Sequence, residues 1–256
     1  MILEKYCNKN ALSKFFQATS DYKKSEPFNH IVIDDFFKDD VAKDLASSFP
    51  PFSGDFWYEY NNPIEKKLAC DDVRRFPKIF AKVIHALNGE TFAKQLEILT
   101  GIEGLSSDPY LHGGGLHCSK KGGKLDIHLD YSIHPKLQLE RRINLIIYLT
   151  PDWQEEWGGF FEMWNDDISK CEQRVMPKFN RAVIFNTDDK SFHGHPDPLN
   201  CPEDKSRNSI ALYYLTNPRE GADLRPRARF FKRPQDAEDP NLEDFRRKRS
   251  EVSGVY

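Results

Sequence analysis

No apolar run in this 256-residue sequence approaches the roughly 20 residues needed to cross a bilayer. The opening residues, Met1-Ile-Leu-Glu-Lys-Tyr6, bring charge in early and contain no apolar core of a signal peptide. The five cysteines (Cys7, Cys70, Cys118, Cys171 and Cys201) are odd in number, scattered, and form no CxxC pair. That pattern speaks against a disulfide framework and against a zinc knuckle. Charge of one sign is also lacking: the formal net charge is -3, without the basic field of a nucleic-acid binder. These absences lead us to expect a cytoplasmic, reduced protein with neither a membrane nor a nucleic acid as partner. Oligomeric state is not legible.

What is present is an ordinary globular composition, 39% hydrophobic and 30% charged, long enough for a sizeable core. The 19 Phe and 10 Tyr favour strands and a packed β core. Residues 1–27 read as a short helix plus loop, 29–37 as a strand, and 38–48 as a helix ended by Pro50-Pro51. Phe76, Ile79, Phe80, Val83, Ile84 and Leu87 recur at helical spacing, and Thr91–Leu99 reads as a further helix capped by Gly101. From about residue 107 the texture changes to short apolar-aromatic runs separated by Gly, Pro, Asn and Asp. Strands are expected at 110–118, 125–131, 142–149, 159–165, 172–176, 181–186, 207–215 and 227–231. Many short strands imply a sandwich or barrel, with the preceding helices on its outer face. We expect one domain over 1–256, with helical and strand support to 106, a core over 107–233, and a charged tail over 234–256.

Within Leu125-Asp-Ile-His-Leu-Asp-Tyr131, alternation places His128 and Asp130 on one face of a strand. A His and a carboxylate so placed can take adjacent positions on a metal. A second His would complete a facial triad that leaves coordination sites open on Fe(II). His193, in Ser191-Phe-His-Gly-His-Pro196 after the strand ending Phe185-Asn186, is the best candidate. An isolated HxD is common by chance, so the rest of the pattern carries the weight. In Arg207-Asn-Ser-Ile-Ala-Leu-Tyr-Tyr-Leu215, Arg207, Ser209, Ala211 and Tyr213 share a face. An Arg pointing into a barrel needs an anion, and its planar fork suits a carboxylate. A strand-edge salt bridge is the plainer alternative. Asn144, Ile146 and Tyr148 share one face of the strand 142–149, and Ile143, Leu145, Ile147 and Leu149 share the other.

Taken in order, His128-x-Asp130, Arg142-Ile-Asn-Leu-Ile-Ile-Tyr-Leu-Thr-Pro-Asp-Trp153, Trp157-Gly-Gly159, His193-Gly and Arg207-x-Ser209 resemble the prolyl 4-hydroxylase-like branch of the Fe(II)/2-oxoglutarate dioxygenases. The resemblance covers roughly residues 108–232. It implies an α+β, mainly β fold, with a double-stranded β-helix (jelly-roll) core and N-terminal helices packed on its outer face. By it, His128, Asp130 and His193 would ligate Fe(II), Arg207 would bind the distal carboxylate of 2-oxoglutarate, and Tyr148 and Ser209 would line the same end. O2 is the implied oxidant, and ascorbate an accessory reductant. The expected reaction hydroxylates an unactivated carbon, in a prolyl residue, an amino acid or a natural product, with release of succinate and CO2.

Tyr131 and His134 are expected at the substrate entrance, which would admit a small molecule or a peptide. His112 and His117 are read as loop or substrate-lining residues, and Arg141 and Arg142 as solvent-facing. A Pro-rich insert, Pro196–Pro202, leaves His195 as the alternative distal ligand; His193 follows Phe192 in the family's position. Segments 53–75 and 131–141 are expected to be mobile and to decide the substrate. Two rivals stand beside this reading. A nucleic-acid demethylase of the same superfamily would resemble an Arg-x5-Arg strand, where this chain has Tyr213. A catalytically silent, cupin-like binding protein would have no use for Arg207.

Overall fold

A computed structural model describes residues 2–251; Met1 and residues 252–256, the end of the expected charged tail, lie outside the described residues. The first half supplies helices α1 (Leu3–Tyr6), α2 (Lys9–Gln17), α3 (Thr19–Lys24), α4 (Asp39–Ser47), α5 (Lys78–Leu87) and α6 (Glu90–Thr100). Interleaved with them are β1 (His30–Ile33) and the hairpin β2 (Tyr58–Asn62) and β3 (Glu65–Cys70). After β4 (Ser106–Ser107) come β5 (Gly115–Ser119), β6 (Lys124–Leu129), β7 (Glu140–Tyr148), β8 (Phe161–Trp164) and β9 (Cys171–Val175). The chain continues through β10 (Ala182–Asn186), β11 (His193–His195), β12 (Arg207–Thr216), β13 (Arg229–Phe230) and the final helix α7 (Pro240–Ser250).

All thirteen strands belong to one antiparallel sheet, in the order β1-β10-β7-β12-β5-β3-β6-β11-β8-β9, with β2, β4 and β13 as side branches. This nearly closed sheet is the jelly-roll core, and the molecule is mainly β with helices in support. The alternation in β7 explains the layering. Ile143, Leu145, Ile147 and Leu149 point outward into a cluster with Phe15, Phe80, Leu87, Phe92 and Leu96 of the helices. The opposite face of the same strand sends Tyr148 inward, onto Phe161, Met163, Val183 and Phe185 from β8 and β10. Burying large apolar side chains on both faces contributes about 1.5–3 kcal/mol per side chain. That is why the strand reads as almost continuously apolar.

The helices at 78–87 and 90–100 fall where periodicity puts them, and Gly101 ends the second in the left-handed conformation, φ 72°. The strand expected at 110–118 starts only at Gly115. Residues 110–114 turn instead, because the Asp108 carboxylate accepts from the amides of Tyr110 and His112 at 2.8 Å each. The expected strand at 227–231 shortens to two residues. Segment 53–75, expected as mobile, contains the paired hairpin β2–β3. The Asn62 side chain builds its turn by accepting from the amides of Ile64 and Glu65. Strand β3 then spans β5 and β6 and draws the two sides of the sheet together. No helix among the described residues is long and apolar enough to cross a membrane.

Candidate active site

β6 and β11 pair so that His193 lies directly opposite His128. With Asp130, just beyond β6, they form a buried group whose ligand atoms all lie within 4.8 Å of one another. Among the described residues no other three His, Cys, Asp or Glu side chains converge this way. The His128 Nε2 lies 3.7 Å from Asp130 Oδ1, and the His193 Nε2 lies 3.8 Å from Oδ2.

The orientation of both rings follows from their other nitrogen. His128 Nδ1 is 2.9 Å from the Asp126 carbonyl, and His193 Nδ1 is 2.7 Å from the Ser191 carbonyl. A carbonyl can only accept, so each Nδ1 carries a proton and each Nε2, turned toward Asp130, is the atom free to ligate a metal. Aromatic packing holds the planes: His128 stacks on Phe230, and His193 meets the rings of Phe161 and Phe185. Burial, followed by the neighbouring His128, lowers the pKa of His193 to about 4, so its imidazole is neutral at ordinary pH. Burial presses the other way on Asp130. A hydrogen bond with His128 and the positive charge of Arg141 more than reverse it, and the carboxyl stays well below its usual range. Two imidazoles and one carboxylate suit a divalent transition metal.

Gly194, between the two histidines of β11, is needed for this arrangement. A Cβ there would stand 2.7 Å from the Leu125 carbonyl oxygen, so only glycine lets β11 lie against β6.

Arg207 opens β12 and is buried, pointing inward with Ser209, whose cross-strand neighbours are Tyr148 and His117. Its Nε donates to the Gly159 carbonyl at 2.8 Å, and its Nη2 donates to the Tyr148 hydroxyl at 3.1 Å. No carboxylate pairs with it among the described residues; burial is the main influence on the guanidinium, and Tyr148 the only favourable one. A buried guanidinium with this much capacity to spare fits an anionic ligand, such as the distal carboxylate of a keto acid. The glycine pair 158–159 makes room for it. Gly159 takes φ 73°, and a Cβ there would press on Leu199 at 2.5 Å and on the Arg207 side chain at 3.0 Å. Trp153 and Trp157 pack with Leu199 and Cys201 of the Pro-rich insert, and Trp153 Nε1 donates to the Gly158 carbonyl.

Arg141 is a correction to the sequence reading, which faced it to solvent. It is 1% exposed, with its guanidinium clamped between the rings of Tyr131 and Tyr213 at 3.4 and 3.2 Å from their centroids. Nη1 lies 3.7 Å from Asp130 Oδ1, and Nη2 donates to the His112 carbonyl at 2.8 Å. Its β7 neighbour Arg142 is half-buried. Alternation along β7, inward at Tyr148, Ile146 and Asn144, would turn Arg142 inward; the pairing instead steps from Tyr214–Ile143 to Leu215–Arg141, and this irregularity brings Arg141 to the interior face. Asn144 itself reaches Asp130 Oδ2 at 3.5 Å. Arg225, which drew no attention, is buried too; its Nε donates to the Asp130 carbonyl and its Nη2 to that of Asp188.

His134 does not line an entrance. It is wholly buried, its Nε2 3.3 Å from Asp108, and its Nδ1 accepts from the amides of Lys136 and Leu137. It fixes the 134–138 turn behind the site. Tyr131 stands at the site, its hydroxyl donating to the His112 carbonyl. His117 faces the interior beside Ser209. His195 is buried and outside the three-residue group.

Residues 114–215 match the model of the 2OG-Fe(II) oxygenase superfamily. Among curated proteins, the chain is similar to the prolyl 3-hydroxylase OGFOD1 of Mus musculus, 27% identical over 212 residues. That match covers 75% of this chain and 34% of the relative, so the chain spans about a third of that protein's length. Among solved structures, the fold is similar to a Trichoplax adhaerens prolyl hydroxylase in complex with a hypoxia-inducible-factor degradation-domain peptide. The TM-score is 0.55 at 15% identity, over 81% of this chain and 93% of that one. It is also similar to a Pseudomonas putida prolyl-4-hydroxylase, with TM-score 0.50 at 16% identity, over 80% of this chain and all of that one, 100%.

Proposed function

We propose that this chain, similar as it is to the 2OG-Fe(II) oxygenase superfamily and to prolyl hydroxylases within it, is a member of that superfamily that hydroxylates a prolyl residue in a peptide or protein. The observation that carries the proposal is the pairing, inside one barrel, of a His-Asp-His group with a buried arginine that has no carboxylate partner.

In this reading His128, Asp130 and His193 hold Fe(II), and Arg207 with Tyr148 anchors 2-oxoglutarate by its distal carboxylate. Fe(II) and 2-oxoglutarate supply the oxidising chemistry: one O2 is consumed, the keto acid becomes succinate and CO2, and one oxygen atom enters the substrate C–H bond. The chain's own work is orientation and exclusion of water. The backbone carbonyls of Asp126 and Ser191 keep both imidazoles turned to the metal position. Arg141 and Asn144 hold the Asp130 carboxylate in place, and the Tyr131–Arg141–Tyr213 stack walls the site on that side.

We favour C3 of proline as the carbon oxidised, because the curated relatives to which the chain is similar are named prolyl 3-hydroxylases, and we infer a cytoplasmic location. The test is incubation with Fe(II), 2-oxoglutarate and a panel of proline-containing peptides, followed by acid hydrolysis and chromatographic separation of 3- and 4-hydroxyproline. Substrate-dependent 3-hydroxyproline with matching succinate supports the proposal. Succinate release stimulated only by free amino acids or other small molecules would move the substrate assignment away from peptides.

A further inference from the structure

His195 is an interior histidine without a role so far. It follows His193 by two residues in β11, so the two side chains leave the strand on the same face. It is 6% exposed, and its Nδ1 is buried without a hydrogen-bond partner. Buried ring nitrogens ordinarily find a partner in the folded state. The two metal-facing histidines have theirs in the carbonyls of Asp126 and Ser191. β11 pairs with β8, His193 opposite Met163 and Gly194 opposite Glu162, a register that runs His195 toward Phe161, two residues past Gly159. The Gly159 carbonyl is the acceptor of the Arg207 Nε.

Arg207 has only neutral partners. Arg207 and His195 thus lie toward the same end of β8 on the interior, and neither has an acidic partner among the described residues. A metal does not explain His195, because its nitrogens are not among the three donors that converge. A carboxylate does: it has lone pairs enough to accept from a guanidinium and an imidazole N–H at once.

We propose that His195 is a second anchor for the distal carboxylate of 2-oxoglutarate, its Nδ1–H donating alongside Arg207. The proposal rests on the assignment of Arg207 to that cosubstrate. It makes His195 a specificity-determining residue that favours a dicarboxylic keto acid over a monocarboxylic one.

The test is calorimetric and needs no turnover. The described chain, loaded with Mn(II) under anaerobic conditions, is titrated with 2-oxoglutarate and with 2-oxobutyrate, which lacks the distal carboxylate. Wild type, His195→Ala and His195→Asn are compared, the Asn amide being able to replace the Nδ1 donor. Loss of one hydrogen bond to a charged group predicts a 2-oxoglutarate Kd raised about tenfold or more in His195→Ala. The 2-oxobutyrate and Mn(II) affinities stay unchanged, and His195→Asn recovers most of the loss. Wild-type binding of 2-oxoglutarate with no change in His195→Ala overturns the role of His195 alone. Equal losses for both keto acids, or a weakened Mn(II) site, overturn it as well. A wild type that binds Mn(II) but not 2-oxoglutarate overturns the cosubstrate assignment with it. If His195→Ala does not fold, His195→Asn and a His195→Gln variant carry the same comparison.

Discussion

Arg246 of α7 donates from Nη2 to the Asp126 carboxylate at 2.9 Å, with both side chains almost wholly out of solvent. Lys124 holds the other carboxylate oxygen at 2.7 Å. The Asp126 carbonyl is the acceptor that turns His128 toward the metal position. The last helix among the described residues thus steadies a strand that carries His128 and leads directly into Asp130.

Arg246→Ala should therefore act on both stability and metal binding. Breaking a buried pair that has one remaining cationic partner should cost about 3 kcal/mol in urea unfolding. Loss of support for an orienting residue should weaken Mn(II) binding by about tenfold. Calorimetry on Arg246→Ala and on Glu243→Ala, which removes the half-exposed neighbour of Arg246, checks this. Equal metal affinities in both variants would show that α7 serves packing alone.

Arg207→Ala should leave Mn(II) affinity intact and raise the 2-oxoglutarate Kd by about a hundredfold, the scale of a lost charge-assisted pair. Arg207→Lys should recover part of that, because a lysine keeps the charge but not the fork that reaches both Gly159 and Tyr148. Unchanged 2-oxoglutarate binding in Arg207→Ala would remove Arg207 from the cosubstrate site.

A sandwich or barrel was legible in the many short strands, and the jelly-roll came with the family resemblance; the shared faces of His128 with Asp130, of Asn144 with Tyr148 and of Arg207 with Ser209 were legible because strand alternation needs only local spacing. So was the outward apolar face of β7. Other features depend on contacts far apart in sequence. The hairpin β2–β3 is built from polar residues such as Glu59, Asn61 and Lys66, and becomes sheet only because β5 and β6 offer it open edges. Arg141 reads as a surface residue until the rings of Tyr131 and Tyr213 enclose it. His134 reads as a pocket residue until Asp108, 26 positions earlier, is seen beside it. The choice between His193 and His195 was open in the sequence, and β-strand pairing separates them: His193 pairs with His128, while His195 pairs with Leu125.

Arg141→Lys should behave nearly as badly as Arg141→Ala. The guanidinium lies flat between two aromatic rings, and an ammonium cannot stack in that slot. Both variants should lose at least about tenfold in metal affinity, the scale seen when the support of a metal ligand is removed. Full metal affinity in Arg141→Lys would mean that charge near Asp130 is enough.

Gly159→Ala should lower stability and 2-oxoglutarate affinity together. The backbone sits at φ 73°, and the added methyl meets both Leu199 and Arg207. A destabilisation of about 1–2 kcal/mol is expected from the strained backbone alone. Gly158→Ala, also at positive φ but with open space around its Cβ position, is the control. It should lose stability and keep its cosubstrate affinity. Equal cosubstrate affinities in the two variants would contradict the idea that Gly159 makes room for Arg207.

The central claim is that His128, Asp130 and His193 form an iron site that shares one barrel with a keto-acid anchor. The most direct measurement is anaerobic addition of Fe(II) and then 2-oxoglutarate to the metal-free protein, with the visible spectrum followed. The account predicts a weak charge-transfer band that develops only when both are present and is lost in Asp130→Ala and His193→Ala but not in His195→Ala at saturating 2-oxoglutarate. Fe(II) binding without such a band, or a band that survives in His193→Ala, would contradict it.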